Sequence, residues 1–252
     1  MKKGILYVAH GSSSHGASEK SIDQIYYDLK RMYPEATVYQ AYYSPKALAN
    51  IDRQEAKTEV NAIDTAMERI VVDGITELQV FPALMVPGPK FNRIEKIVMS
   101  YADKIPQIRI ADPLLCTDAG ETGIVEFLKQ TYSFEPGKEY LLVAHKKDDL
   151  LYPLYQKIEE QFQVQKITNV HIFYIKGDEG SADVLNEIGG KEVTIIPFMM
   201  IAGNHLRRDI EQGENSVVAE LERRGCKAYV VDKGFAEYEE FRQLLYRGWI
   251  TA

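Results

Sequence analysis

The stretch IIPFMMIAGNHLRRDI, from Ile195 to Ile210, begins as an apolar β-strand and ends with the charged pattern of a helix start. His205 stands at the junction between the two. A strand that leads into a helix is the repeating unit of parallel α/β sheets, and ligands bind such sheets beyond the carboxyl ends of the strands. The stretch therefore predicts an α/β fold with His205 at the functional edge of a sheet.

Seven further short apolar runs predict strands elsewhere in the chain. They are Ile5–Val8, Val38–Ala41, Leu78–Phe81, Ile108–Ala111, Leu141–Ala144, Val170–Tyr174 and Ala228–Val231. Apolar residues recur at helical spacing between them, notably over residues 22–32, 60–70 and 217–221. This alternation predicts parallel sheets that are covered by helices on both faces.

The chain also repeats itself. ILYVAHGSS from Ile5 matches LLVAHKKDD from Leu141, and VFPALMVPGPKFNRI from Val80 matches the opening stretch. The matches set His10 against His145, Pro82 against Pro197, Gly88 against Gly203, Lys90 against His205 and Arg93 against Arg208. Two segments that recur in the same order indicate two similar halves.

The break between the halves falls at Pro136-Gly137, which ends the preceding helical pattern. We therefore predict an N-terminal half over residues 1–136 and a C-terminal half over 137–252. Each half is expected to hold a four-stranded parallel sheet flanked by helices, with a ligand cleft between the halves.

Composition excludes several classes of function. The 252 residues are 45% hydrophobic and 27% charged, as in soluble globular proteins. No window approaches the ~20 apolar residues of a membrane span, and the first apolar run is too short for a signal peptide, so we expect a cytoplasmic protein. A net charge of -7 argues against a nucleic-acid partner. Cys116 and Cys226 form no CxxC pair, so neither a disulfide framework nor a thiolate metal site is predicted.

Two histidines of the C-terminal half, His145 and His205, each follow a predicted strand of one sheet. Their imidazoles can face a common cavity, and neutral imidazole is both a common metal ligand and a proton acceptor near neutral pH. A pair without a third strong ligand leaves coordination positions open, which suits transient metal handling better than a structural site. Taken alone, each could also be an ordinary loop histidine.

Basic residues follow the same strand ends. They are Lys90, Arg93, Lys146, Lys147, Arg207 and Arg208. As a set they could hold a polycarboxylate, because arginine pairs bidentately with carboxylates. The alternative is that they are solvated residues at ordinary helix starts.

The turn HGSSSHG follows the first strand. Its backbone N–H groups and hydroxyls, with His10, Ser12 and Ser13, could bind an anionic group of the substrate. It could also be a simple strand-to-helix turn. It lacks the GxGxxG and GxxxxGK[ST] patterns, so no organic cofactor is predicted.

Three segments carry a family resemblance. PFMMIAGNHLRRDIEQGENS, from Pro197, is similar to a P-[FL]-M-x-[VI]-A-G-[DN]-H-x-x-x-D motif with its trailing acidic segment. GILYVAHGSSSHGASEKSI and AYYSPKALANIDRQ are similar to the same family's opening strand and to its segment after the second strand. Over essentially the whole chain, the sequence resembles the class II chelatases, specifically the anaerobic-type sirohydrochlorin cobaltochelatases (CbiK-like) of cobalamin biosynthesis.

The resemblance implies two chelatase-type α/β halves with a tetrapyrrole between them. It also implies that His145 and His205 present Co²⁺ to sirohydrochlorin, and that one of them accepts a pyrrole N–H proton. The metal is then a substrate, and the carboxylates of the macrocycle would meet the basic residues above. The sequence leaves the oligomeric state open, a homo-oligomer included.

The chain departs from the family pattern at two places. Ala144-His145-Lys146 replaces the family's G-H-G, which puts a bulky cation where the backbone would approach the ligand. The family's third metal ligand, a glutamate, would fall within Phe173–Ile175, where there is no carboxylate. Asp178 or Glu179 could reach in from a shifted loop, or water could take that place.

These departures keep alternatives open. One is a chelatase for Fe²⁺ or Ni²⁺. Another is a non-catalytic carrier of a tetrapyrrole or a metal. A third is a periplasmic-binding-like module, since two similar α/β halves also describe that architecture.

Overall fold

A computed structural model describes residues 1–11, 19–44, 48, 60–144, 152–175, 179–188, 191–201, 203 and 206–251. The strands are β1 (Lys3–Ala9), β2 (Thr37–Tyr42), β3 (Val60–Ala62), β4 (Glu77–Pro82), β5 (Gln107–Ile110), β6 (Glu139–Ala144), β7 (Val170–Tyr174), β8 (Glu192–Pro197) and β9 (Lys227–Val230). The α-helices are α1 (Ile22–Met32), α2 (Ile63–Val72), α3 (Pro89–Met99), α4 (Asp118–Tyr132), α5 (Tyr152–Val164), α6 (Glu179–Glu187), α7 (Val217–Arg223) and α8 (Glu239–Thr251). Two 3₁₀ turns, Leu114–Cys116 and Phe235–Glu237, and a π-helix, Leu206–Glu211, complete the described elements.

The strands form two parallel sheets, with the orders β3-β2-β1-β4-β5 and β7-β6-β8-β9. The predicted α/β class is therefore confirmed, and each of the eight predicted strands is present. The prediction of four strands in the first sheet is wrong by one, because Val60–Ala62 adds an edge strand beside β2. Three residues are too few to show alternation, and Val60 continues the apolar spacing of the helix that follows at Ile63.

The sequence repeat is confirmed as a structural repeat. The order β2-β1-β4-β5 in the first sheet matches β7-β6-β8-β9 in the second. Val8 pairs with Pro82 between β1 and β4, and Val143 pairs with Pro197 between β6 and β8. The matched residues of the two halves thus occupy the same register.

The chain divides into two compact units, residues 1–116 with 242–252 and residues 117–241. This division differs from the boundary predicted at residues 136 and 137. The helix that ends each repeat is the reason: α4 follows the turn Leu114–Cys116 but belongs to the second unit, and most of α8 belongs to the first. The break at Pro136-Gly137 marks where the first repeat ends in the sequence. In the structure α4 of the first repeat belongs to the second unit and most of α8 belongs to the first unit, and composition does not reveal this exchange.

The first unit is held together by apolar packing and by one buried carboxylate. Leu6 and Val80 of the sheet belong to the same buried cluster as Met67 of α2. Trp249 of α8 stacks on Phe81, with 4.9 Å between ring centroids and 6° between ring planes. Hydrogen bonds from Arg242 and Tyr246 of α8 to Asp28 also tie α8 to α1.

The second unit has a corresponding apolar interior. Leu141 and Ile195 of the sheet are buried with Leu221 of α7. Phe127 of α4 contacts Phe235 edge-on, with 5.4 Å between ring centroids. None of the described helices has the length and apolar content that a membrane crossing requires.

Candidate functional site at the carboxyl ends of the strands

Three neighbouring strands of the second sheet end at one edge. Ala144 of β6 pairs with Tyr174 of β7, and Val143 pairs with Pro197 of β8. The carboxyl ends of adjacent parallel strands are where ligands of such sheets bind. His145 is the residue that follows β6 in the sequence, and His205 lies between β8 and the π-helix.

Several predicted site residues lie outside the described residues. They are Ser12, Ser13, His145, Lys146, Asp178 and His205. Glu179 begins helix α6, and Arg207 lies within the π-helix. The proposed histidine pair and its third ligand therefore stay predictions.

The π-helix directly follows His205, whereas the matched segment of the first half is the ordinary helix α3. Ile94 and Ile210 are both fully buried, but Ile210 lies one residue further from Gly203 than Ile94 lies from Gly88. A π turn holds one residue more than an α turn, so the π-helix accommodates this insertion. Such π turns are frequent at functional sites.

The position expected for a third metal ligand is apolar. The N–H of Ile175 donates to the carbonyl oxygen of Ala144 at 3.1 Å, which places Ile175 directly beside the end of β6. Its side chain is 6% exposed and packs in an apolar cluster with Phe173. Phe173–Ile175 contains no carboxylate, and the surroundings of Phe173 and Ile175 in the structure are hydrophobic.

The first unit has the equivalent edge, and there the side chains are described. His10 follows β1, Tyr43 follows β2, and Lys90 lies in the first turn of α3 after β4. The His10 and Tyr43 rings are 4.9 Å apart between centroids, and Lys90 Nζ is 5.8 Å from the centroid of the Tyr43 ring. Gly11 has a φ of 79°, a left-handed conformation that favours glycine, so the chain turns sharply after His10. We call His10, Tyr43 and Lys90 the strand-end cluster.

The sequence named His10 and Lys90 as candidate site residues but not Tyr43, whose ring the structure places against both. The protein has sixteen tyrosines, and nothing in the local pattern distinguishes this one. The signal that could have found it is the repeat, because Tyr43 is the counterpart of Ile175 at the expected third-ligand position.

The electrostatics of the strand-end cluster favour hydrogen-bond donation. Burial raises the pKa of the Tyr43 phenol, so its hydroxyl remains protonated at neutral pH. The Lys90 ammonium lies over the Tyr43 ring, where cation–π attraction is favourable. The first turn of α3 contains no acidic residue.

The two predicted arginines differ in their contacts. Arg93 is exposed and lies three residues after Lys90 in α3. Arg208 is exposed and forms a bidentate pair with the adjacent Asp209, at 3.0 and 3.2 Å. Together with Ile175, Arg208 and Asp209 line a cavity of about 610 Å³ in the second unit. To bind a substrate carboxylate, the Arg208 guanidinium would have to break its hydrogen bonds to Asp209.

Structural comparison defines the class of protein. The sirohydrochlorin chelatase SirB from Bacillus subtilis subspecies spizizenii, solved in complex with cobalt, is similar with a TM-score of 0.60 and 16% identity over 98% of this chain and 93% of SirB. SirB from Bacillus subtilis with Fe³⁺ is similar with a TM-score of 0.64 and 16% identity, over 98% and 94% of the two chains. The chain therefore has the fold of the chelatases.

Sequence comparison gives the family. The profile of the family described as Cobalt chelatase (CbiK) matches residues 3–249, so the chain belongs to that family. The sirohydrochlorin cobaltochelatase of Salmonella typhimurium strain LT2 is 21% identical over 214 residues, which are 83% of this chain and 80% of that protein. The predicted family is confirmed, and it replaces the periplasmic-binding-like alternative.

Proposed function

We propose that this protein inserts a divalent metal ion into a sirohydrochlorin-type tetrapyrrole, with Co²⁺ as the first candidate and cobalamin biosynthesis as the corresponding pathway. The observation that carries the proposal is the family match over residues 3–249 in a chain that keeps both histidines after the strands β6 and β8. The relative from Salmonella typhimurium, named a sirohydrochlorin cobaltochelatase, supports the choice of substrate.

The chemistry explains why two imidazoles are needed. The metal-free ring loses two pyrrole N–H protons, and the divalent ion loses water ligands as it bonds to the ring nitrogens. In the proposed mechanism His145 and His205 hold the incoming ion, and one of them takes a proton as the metal enters. Two protein ligands leave positions open for the ring nitrogens.

The metal is the finer part of the proposal. Imidazole ligands suit Co²⁺, Ni²⁺ and Fe²⁺ alike, so the histidine pair does not select among them. The similar SirB structures contain cobalt in one case and Fe³⁺ in another. The assay therefore compares the three divalent ions side by side at equal concentration.

The test uses the purified protein with sirohydrochlorin and each ion, and follows the absorbance change of metal insertion. We expect insertion by the wild-type protein, and none above the uncatalysed rate for His145→Ala or His205→Ala. His171→Gln is the matched control, because His171 Nε2 lies 2.8 Å from the Glu139 carboxylate and is occupied there. Loss of insertion in this control as well would show that the effect is not specific to the pair.

A carrier function is the second candidate, and the apolar environment of Ile175 favours it. A carrier would bind the tetrapyrrole or the metal without the absorbance change of insertion.

If Asp178 or Glu179 replaces the missing glutamate, then Asp178→Asn or Glu179→Gln should weaken Co²⁺ binding in calorimetry. Two variants with unchanged affinity would eliminate that replacement.

A further inference from the structure

The strand-end cluster occupies the positions that correspond to the proposed metal site. Tyr43 N–H donates to Ala9 O at 3.1 Å, and Ile175 N–H donates to Ala144 O at 3.1 Å. The residue after Ala9 is His10, and the residue after Ala144 is His145. In the sequence repeat Lys90 is matched to His205, so the three corresponding positions are His, Tyr and Lys in the first half and His, Ile and His in the second.

The two sets share a histidine, and the difference that decides the charge is Lys90 against His205. A neutral imidazole offers a lone pair to a metal ion, whereas a lysine ammonium has three donors and no acceptor. Lys90 is exposed, and among the residues that the structure describes no carboxylate forms an ion pair with it. A divalent cation at this place would meet an uncompensated positive charge.

Each described group near Lys90 instead suits an anion. The Tyr43 hydroxyl is protonated and can donate a hydrogen bond. Helix α3 begins here, with Gly88 as its N-cap, no side-chain cap and no acidic residue in its first turn. The positive end of the helix dipole therefore adds to the attraction of a negative charge.

We propose that the strand-end cluster is a carboxylate-binding subsite. It lies at the strand ends of the first half, which is the structural repeat of the half that carries His145 and His205. The identity of the ligand rests on the proposed function, since a sirohydrochlorin-type macrocycle carries carboxylate side chains. Lys90 supplies the charge, and the Tyr43 hydroxyl supplies a directed hydrogen bond. The first half thus anchors the macrocycle, and it does not bind the metal.

The experiment measures binding of metal-free uroporphyrin I, an octacarboxylate porphyrin, by its fluorescence at low ionic strength. Lys90→Met should raise the Kd about 10-fold, because a charge-assisted hydrogen bond is lost. Tyr43→Phe keeps the ring and should raise the Kd about threefold, because only a neutral donor is lost. Lys90→Arg should restore most of the affinity.

The matched control is Lys96→Met. Lys96 is an exposed lysine of the same helix and lies in its last turn. This variant makes the same change of net charge away from the cluster, so its Kd should stay within about twofold of the wild-type value. The octamethyl ester of uroporphyrin I should bind wild type and Lys90→Met equally.

Three results would overturn the subsite: no binding of uroporphyrin I by the wild type, equal Kd values for wild type and Lys90→Met, or equal weakening by Lys96→Met. Binding needs no metal, so it separates the two proposals. A protein that binds through Lys90 but inserts no metal keeps the subsite and loses the proposed function. If the protein inserts metal but Lys90→Met leaves the Kd for uroporphyrin I unchanged, the proposed function is kept and the subsite is lost.

Discussion

Replacing Asp28 by alanine should destabilise the first unit more than any surface substitution. Asp28, on α1, accepts hydrogen bonds from Tyr246 Oη at 2.6 Å and from Arg242 Nε at 3.0 Å, both on α8. Arg31 also pairs with it. The Asp28 and Arg242 side chains are only 9% and 12% exposed. One carboxylate therefore neutralises a nearly buried guanidinium and accepts from a buried hydroxyl.

The expected loss follows from these contacts. Removing one partner of a buried ion pair costs about 3–5 kcal/mol, because the other charge remains buried. A buried hydroxyl that loses its acceptor costs about 1–3 kcal/mol more, but the contacts share one carboxylate and the costs do not add. Burial and the Asp28 hydrogen bond raise the pKa of Tyr246, so the hydroxyl stays a donor throughout the assay. We expect about 3 kcal/mol for Asp28→Ala and about half of that for Asp28→Asn.

The assay is urea unfolding followed by circular dichroism, with thermal unfolding as a second measure. A loss of about 3 kcal/mol corresponds to a fall in Tm of about 6–12 °C for a chain of this size. The control is Glu126→Ala, which breaks the partly exposed Glu126–Lys129 pair and should cost about 0–1 kcal/mol. If Asp28→Ala costs no more than this control, the assignment of α8 stability to the buried carboxylate is wrong.

Two further predictions concern the second unit. Glu139 is desolvated by burial, but hydrogen bonds from Lys191 at 2.6 Å and from His171 at 2.8 Å hold its pKa below the usual range. Its stabilisation is present above the unfolded-state pKa and is lost as pH falls through the folded one, so Glu139→Gln should cost about 1–2 kcal/mol at pH 7. In urea unfolding the wild type should approach the variant below about pH 4, and a difference independent of pH would contradict the argument. Ile175→Glu puts a carboxylate at the expected third-ligand position, and should tighten Co²⁺ binding in calorimetry while costing about 2–5 kcal/mol of stability. Unchanged Co²⁺ affinity in a folded variant would show that this position does not face the metal.

Much of the fold was predictable because its signals are local. Eight strands are apolar runs bounded by turn residues, and the repeat indicates that the two halves are alike. The edge strand Val60–Ala62 has no such signal, because three residues show no period. The exchange of α4 and α8 between the compact units depends on packing between distant segments. No local pattern reports it.

The site was predictable only in part for the same reason. His10 and Lys90 were predicted as candidate site residues because each stands at a strand end within a repeated motif. Tyr43 was missed because its contacts with both depend on how β2 lies beside β1. The π-helix left a trace, since NRI in the first half corresponds to RRDI in the second, one residue longer. The number of residues from Gly203 to Ile210 is one greater than from Gly88 to Ile94, and this difference in the sequence reveals the insertion.

The repeat gives a physical reason for an asymmetric site. A chelatase must receive a cation and a polyanion, and a group that suits one opposes the other. At ~8 Å, a lysine charge beside a divalent ion costs about 4 kcal/mol at an effective dielectric constant of ~20. A duplicated frame removes this conflict, because matched sequence positions can carry histidines in one half and a charged hydrogen-bond donor in the other. On this argument Lys90→His, which makes the first half resemble the second, should weaken binding of the macrocycle without improving metal insertion. A gain in insertion rate would mean that the two halves are not specialised by charge.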